Sequence, residues 1–394
     1  MAIRALKSSR VIDGYRSIPN GVVVFTDGII TAIGPQSTVE IPPDAQVTDY
    51  GDLIISPGFI DTHLHGFKGI RAESSMQNNL DLAAFVAQNG TTTILPTTTV
   101  PAPESVGYVY EAMQVQEKEG YKGARIAGAH MEGPFWSPKN LPGRPEVDAG
   151  IVPPSIALFD QFWEAAHGHI LQCDVGIDQP TAFETARYMH KKGVLVGSAH
   201  TKIGYEGAIA AIENNVTHAV HLYNVMTGLH HRRPGVVGAY LTTDQTTAEL
   251  ICDGLHVAFA AMDIAIRCKG YDRICIITDL SMAGLPDGDY ERADGRWLTV
   301  KDGISRMKGS DPSQDNTMSG SCITQDVGVK NVHQVLGHPL EAAIRMASIS
   351  PAKMVKIDSY TGSLEVGKSA DIAIFDNDIK CKETIVAGTT VYKA

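Results

Sequence analysis

The sequence predicts an α/β protein, a (β/α)8, TIM-type barrel carrying a small β-sandwich domain built from both termini. Three observations predict it. Apolar, strand-like runs alternate with helix-like stretches through the middle of the 394-residue chain, which is the pattern of a parallel sheet. Eight such runs fall within about 300 residues, which suits a barrel of typically ~250 residues plus insertions. Both ends of the chain are β-rich, and neither is long enough to build a core alone.

At the N-terminal end, residues 1–55 hold Gly21–Phe25 and Ile29–Ile33, separated by Asp27-Gly28. Asp-Gly between apolar runs is a strong hairpin signal. Residues 362–394 repeat this style with Gly362–Gly367 and Ala370–Asp376. The two pieces are expected to pair into one discontinuous domain, leaving residues 56–361 as the catalytic barrel. The eight runs are Leu53–Ile55, Thr92–Leu95, Ala124–Ala127, His169–Cys173, Val194–Val196, His218–Val220, Glu249–Cys252 and Arg273–Ile277. Helix-like stretches such as Asn79–Gln88, Glu184–Lys192 and Phe259–Cys268 lie between them. No Gly-x-Gly-x-x-Gly follows the first run, so dinucleotide binding has no support. The irregular stretch Gly284–Asn316, with Asp287-Gly288 and Asp294-Gly295, reads as a hairpin-bearing loop at the barrel mouth.

Lys plus Arg number 33 against 44 Asp plus Glu, a formal charge of −11. Such a chain should repel nucleic acid and anionic membranes. No run approaches the roughly 18 apolar residues that span a bilayer. No apolar segment follows Arg4, Lys7 and Arg10, so a cytoplasmic location is expected. The six cysteines are scattered, with no Cys-x-x-Cys. They read as free, mostly buried thiols.

The reactive side chains stand where the apolar runs end. They are His63 and His65, then Glu132, His200, His221, His256 and Asp279. In a parallel barrel these strand ends share one rim, so residues distant in sequence converge. On an extended strand residues i and i+2 face the same side, so His63 and His65 can address one ion. With Glu132, His200 and His221 they form a ligand set for a divalent metal. Zinc heads the candidates, and iron, cobalt, nickel and manganese accept the same donors. Asp279, at the end of the most apolar run, is placed to exchange a proton with water beside that metal.

Pro57–Gly66, with its His63-Leu64-His65, resembles the first-strand signature of the amidohydrolase superfamily. Four later segments resemble the N-acetylglucosamine-6-phosphate deacetylase family within it: Gly128–Phe135, His221–Met226, Asp253–Val257 and Thr278-Asp279. Met318-Ser319-Gly320-Ser321 matches that family's small-residue turn. The resemblance spans nearly the whole chain. It implies Glu132, His200 and His221 as metal ligands, His63 and His65 at a second metal position, and Asp279 as the catalytic aspartate. It implies that Asn224 and His256 hold the sugar phosphate, with Met318, Ser319 and Gly320 beside the substrate. It further implies that Arg232 reaches the phosphate in a neighbouring subunit of a homodimer. The expected reaction is hydrolysis of the N-acetyl group of an amino-sugar 6-phosphate, first N-acetylglucosamine 6-phosphate.

Two departures bear on the sugar. The family's Lys-Gly-Ala-His-like stretch is here Lys139–Glu146, without histidine; Arg144 is either a replacement donor or a solvent-facing loop residue. The family's Arg-Glu-Pro-Gly is here Arg232-Arg233-Pro234-Gly235. An N-acetylgalactosamine-6-phosphate deacetylase is therefore an alternative. Another amidohydrolase is a second, although the carboxylated lysine common in dihydropyrimidinase-like enzymes finds no strand-end lysine here. A catalytically silent metal-dependent binding protein is a third, and the intact Asp279 counts against it.

Overall fold

The computed structural model describes residues 3–137, 151–291, 297–309 and 318–394. Eight parallel strands form the barrel wall: β1 (Phe59–Leu64), β2 (Thr91–Thr98), β3 (Ala129–Met131), β4 (Ile170–Val175), β5 (Leu195–Ser198), β6 (His218–Ala219), β7 (Thr247–Ile251) and β8 (Ile274–Ile277). Each pairs in parallel with the next. The seam between β8 and β1 is closed just past the strand ends. There the Asp279 N–H donates to the His63 carbonyl and the His65 N–H to that of Leu280, both at 2.8 Å. Lower in the seam the buried Gln325 amide donates to the carbonyls of Ile60 (2.7 Å) and Ile276 (3.0 Å). A side chain thus supplies donors where the two strands form no ladder, as buried carbonyls require.

The strands are almost wholly buried, β1, β2 and β8 along their whole length. That burial is why they read as nearly continuous apolar runs rather than alternating ones. Amphipathic helices cover the outside. Met76–Ala87, for example, turns Leu82, Ala83, Val86 and Ala87 inward and is capped by Ser75 Oγ, which accepts from the Asn78 N–H.

The terminal segments form one sheet. Ile3–Ile12 pairs antiparallel with Ser17–Thr26, which pairs with Ile29–Pro35. Asp27 and Gly28 turn this hairpin with φ of 48° and 81°, as a two-residue primed turn requires. The other edge of Ile3–Ile12 is shared by Gln46–Asp49 and Ile54–Pro57. From Ile54–Pro57 the sheet continues through Ile372–Phe375, Cys381–Val386 and Thr389–Lys393. It folds around its own core of Leu6, Val23, Phe25, Ile55, Ile372 and Ile374.

One expectation is corrected here. The run Leu53–Ile55 does not open the barrel; it belongs to the strand Ile54–Pro57 of the terminal sheet. The first barrel strand is Phe59–Leu64, so His63 lies on it rather than after it. The switch occurs at Gly58, where a Cβ would stand 2.0 Å from the Thr92 side chain. Only glycine lets the chain pass so close. The stretch after Gly284 carries a three-stranded antiparallel sheet, Gly288–Glu291, Trp297–Lys301 and Ile304–Met307. All six cysteines are unpaired. No helix among the described residues is long and apolar enough to cross a membrane.

Candidate metal centre

The expected ligands meet at the mouth formed by the C-terminal strand ends. His63 projects from β1 and His65 follows it, while Glu132, His200, His221 and Asp279 stand just beyond β3, β5, β6 and β8. Three of them turn sharply: His200, His221 and Asp279 have φ of 47°, 33° and 50°. Left-handed backbone at a non-glycine residue costs about 1–3 kcal/mol and persists where surrounding bonds hold it. For Asp279 those bonds are its N–H to the His63 carbonyl (2.8 Å) and its carbonyl receiving the Ser321 N–H (2.7 Å).

Glu132 Oε1 lies 2.9 Å from His200 Nε2 and 3.2 Å from His221 Nε2, and those two nitrogens are 3.3 Å apart. Donor atoms of a tetrahedral ion with bonds of about 2.0–2.1 Å stand about 3.3 Å from one another. The triangle therefore fits one face of such a site. The other carboxylate oxygen, Glu132 Oε2, is 3.3 Å from His65 Nε2 and 3.8 Å from His63 Nε2. Asp279 Oδ1 lies 3.2 Å from His65 Nε2 and 3.8 Å from His63 Nε2. His63, His65 and Asp279 thus form a second donor group beside Glu132, His200 and His221. His63 Nε2 is buried with no hydrogen-bond partner among the described residues, an arrangement that suits a cation ligand.

The electrostatics agree. Burial alone would raise the Glu132 carboxyl, yet hydrogen bonds from His200 and His221, with His63 nearby, hold it well below the usual range. Burial also opposes ionisation of Asp279, and His65 and His63 outweigh it, leaving that carboxyl lowered. His200 is pushed below its ordinary value by burial. His221 is raised, because Glu132 overcomes its burial, and His63 is raised well above by Glu249 and Glu132. The field that retains protons here equally favours a divalent cation, and a cation would displace them.

The geometry also brings in residues to which the sequence reading gave no role. Inside the barrel, Glu249 on β7 lies 2.8 Å from His63 Nδ1, and Gln172 on β4 donates to it at 2.8 Å. His130 on β3 lies 2.7 Å from Asp174 and 2.9 Å from the Thr62 carbonyl. Asp61 accepts from the Thr278 hydroxyl at 2.6 Å, and burial pushes its carboxyl up to about 7. One sequence signal was available: polar residues two apart in an apolar run, such as Gln172 and Asp174, share one face of a strand.

The expected substrate residues are held differently. Asn224 packs behind a ligand, its backbone N–H and Nδ2 donating to the His221 carbonyl at 2.9 and 3.2 Å. His256 Nδ1 lies 2.6 Å from Asp253 Oδ2. Arg232 is exposed, in a turn where its N–H donates to His230 Nδ1 at 3.2 Å. Met318 bridges to Arg306, and the Ser319 N–H donates to the Ser305 carbonyl at 3.2 Å. Gly320, with φ of 61°, presses under the catalytic candidate: a Cβ there would lie 3.1 Å from the Asp279 carbonyl oxygen. Arg144 lies outside the described residues.

Comparison with known proteins places the chain. The amidohydrolase family model matches residues 54–391. An N-acetylglucosamine-6-phosphate deacetylase of Vibrio furnissii is 32% identical over 391 residues, covering 98% of this chain and 95% of its own. An N-acetylgalactosamine-6-phosphate deacetylase of Escherichia coli O157:H7 is also 32% identical, over 97% of this chain and 98% of its own. The crystal structure of N-acetylglucosamine-6-phosphate deacetylase from Pasteurella multocida superposes with a TM-score of 0.88 at 28% identity, covering both chains fully. With the barrel, the converging histidines and these relatives together, the chain belongs to the amidohydrolase family and, within it, to the N-acetylglucosamine-6-phosphate deacetylases.

Proposed function

We propose that the protein hydrolyses the N-acetyl group of N-acetyl-D-glucosamine 6-phosphate to give D-glucosamine 6-phosphate and acetate. The observation that carries this reading is the meeting of Glu132, His200 and His221 with His63, His65 and Asp279 at one barrel mouth. An amide resists water because its carbonyl is deactivated and its nitrogen leaves poorly. A divalent cation held by Glu132, His200 and His221, zinc first among the candidates, supplies Lewis-acid polarisation of the carbonyl and makes nearby water more acidic. His63 and His65, with Asp279, offer a second position, so one or two ions per subunit are accommodated.

Asp279 does the proton work. Its carboxyl is held below the ordinary range, so it begins ionised and accepts a proton from the attacking water. The water oxygen bonds to the acetyl carbon, the carbon–nitrogen bond breaks, and Asp279 delivers the proton to the departing C2 nitrogen. Asn224 and His256 orient the sugar phosphate. Arg232, with Arg233 beside it, supplies cationic donors suited to a phosphate, reaching the site of a neighbouring subunit in a cytoplasmic homodimer.

The equal identity to the galactosamine relative favours one second reading, the C4 epimer as substrate. Acetate release from both N-acetylhexosamine 6-phosphates, with metal analysis of the same sample, decides. The higher kcat/KM names the sugar, and acetate from neither overturns the deacetylase reading.

A further inference from the structure

We propose that Glu249 is a positioning residue that couples the two candidate metal positions through a single carboxylate oxygen. This inference rests on the metal reading of the mouth. Glu249 is fully buried on β7, below the ligands. Its Oε2 faces two groups at once: His63 Nδ1 at 2.8 Å and the backbone N–H of His221 at 3.1 Å. His63 belongs with His65 and Asp279, whereas His221 belongs with Glu132 and His200. One atom therefore sets the ring of a ligand in one group and the main chain of a ligand in the other.

The other oxygen is held too. Glu249 Oε1 accepts from Gln172 Nε2 at 2.8 Å and lies 3.3 Å from His218 Nε2. His218 Nδ1 in turn is 2.7 Å from Thr247 Oγ1. The carboxylate is thus fixed from both sides and has little freedom to follow a displaced His63. Two consequences follow from the chemistry. A carboxylate at Nδ1 keeps the His63 proton there, which leaves the Nε2 lone pair facing the mouth; that nitrogen is the buried one with no hydrogen-bond partner among the described residues. A carboxylate behind a ligating imidazole also raises its basicity. At His221 the same oxygen holds an N–H whose residue sits at φ of 33°, so it helps keep the strained turn that aims the ring.

An amide cannot replace this carboxylate. Four groups surround Glu249, and three of them donate or are placed to donate. Glutamine in its place would turn an NH2 toward either His63 and His221 N–H or Gln172 and His218.

The test uses the metal-free full chain titrated with cobalt(II), with chelator competition and visible absorption reporting each bound equivalent. His63→Asn marks the equivalent that His63 holds. In Glu249→Gln that equivalent is expected to weaken about 10- to 100-fold, as for loss of an outer partner, and the other equivalent several-fold, with kcat falling more than KM rises. Gln172→Met, which removes only one donor to Oε1, should weaken both in the same order by smaller factors; it carries the test if Glu249→Gln does not fold. Wild-type affinity at both equivalents in these variants overturns the proposal, and so does a loss confined to the equivalent marked by His63→Asn. A wild-type chain that takes up no cobalt overturns the metal reading itself and the coupling with it.

Discussion

The mouth of this barrel contains two regions built on different principles. In the ligand cluster the functional groups are buried or, for His200 and Asp279, half-buried, and they are held from several sides: Glu132 meets four histidines, and His63 is held from behind by Glu249. In the surrounding ring the expected sugar-phosphate residues are tied mainly to their own neighbours. His256 bonds Asp253, and Arg232 lies exposed in its turn. The cluster is preorganised, so its chemistry should survive changes in the ring. On the proposed reading the ring is where substrates are distinguished, and its changes should move selectivity while leaving cation binding intact.

The largest expected effect comes from breaking the cluster at its hub. Glu132→Gln removes the one carboxylate shared by four histidines. Cation affinity should fall by more than the ~10–100-fold typical of an outer partner, and activity should vanish with it; metal analysis after dialysis checks this. Next is Asp279→Asn, which should leave in place the ion held by Glu132, His200 and His221 and lower kcat by about 10²–10⁴, the usual share of a general acid–base group. Full activity in that variant would falsify the role of Asp279.

In the ring, Arg232→Ala should raise KM for the phosphorylated sugar about 10- to 100-fold, the equivalent of a hydrogen bond to a charged group, and leave the unphosphorylated sugar unaffected. Equal shifts in both would blur the proposed division of labour. The smallest effect belongs to the rim that supports the cluster. There Glu73 pairs with Arg71 and accepts from the Thr99 N–H at 2.9 Å. Burial would raise its carboxyl, but Arg71 outweighs that and it stays lowered. A carboxyl depressed on folding stabilises above its unfolded value and loses that contribution as pH falls through the folded one. Glu73→Gln should therefore cost about 1–3 kcal/mol in urea unfolding at pH 7, and the difference from wild type should shrink as the pH falls through the acidic range.

The same contrast explains what the sequence disclosed. His63, His65, Glu132, His200, His221 and Asp279 were legible because each interrupts the chain just where an apolar run stops, and a parallel barrel gathers such places on one rim. Glu249, Gln172 and Asp174 were not, because they lie within the strands β7 and β4, whose apolar residues mask them. The first strand was misplaced for a related reason: Leu53–Ile55 and Phe59–Ile60 are equally apolar, and only the passage at Gly58 separates sheet from barrel. Within the terminal segments the Asp27-Gly28 turn could be read locally, whereas the pairing of Ile54–Pro57 with Ile372–Phe375 is a long-range contact that no local pattern encodes.

That last pairing has a consequence during synthesis. The edge formed by Ile54–Pro57 leaves the ribosome 315 positions ahead of Ile372, the first residue of its partner strand. At ~5–20 residues per second the nascent chain carries an unpaired, apolar strand edge for roughly 15 to 60 s, and such edges recruit other chains. Completion of this sheet is thus a late event in biogenesis, and the interval before it is when the polypeptide most needs shelter from its copies.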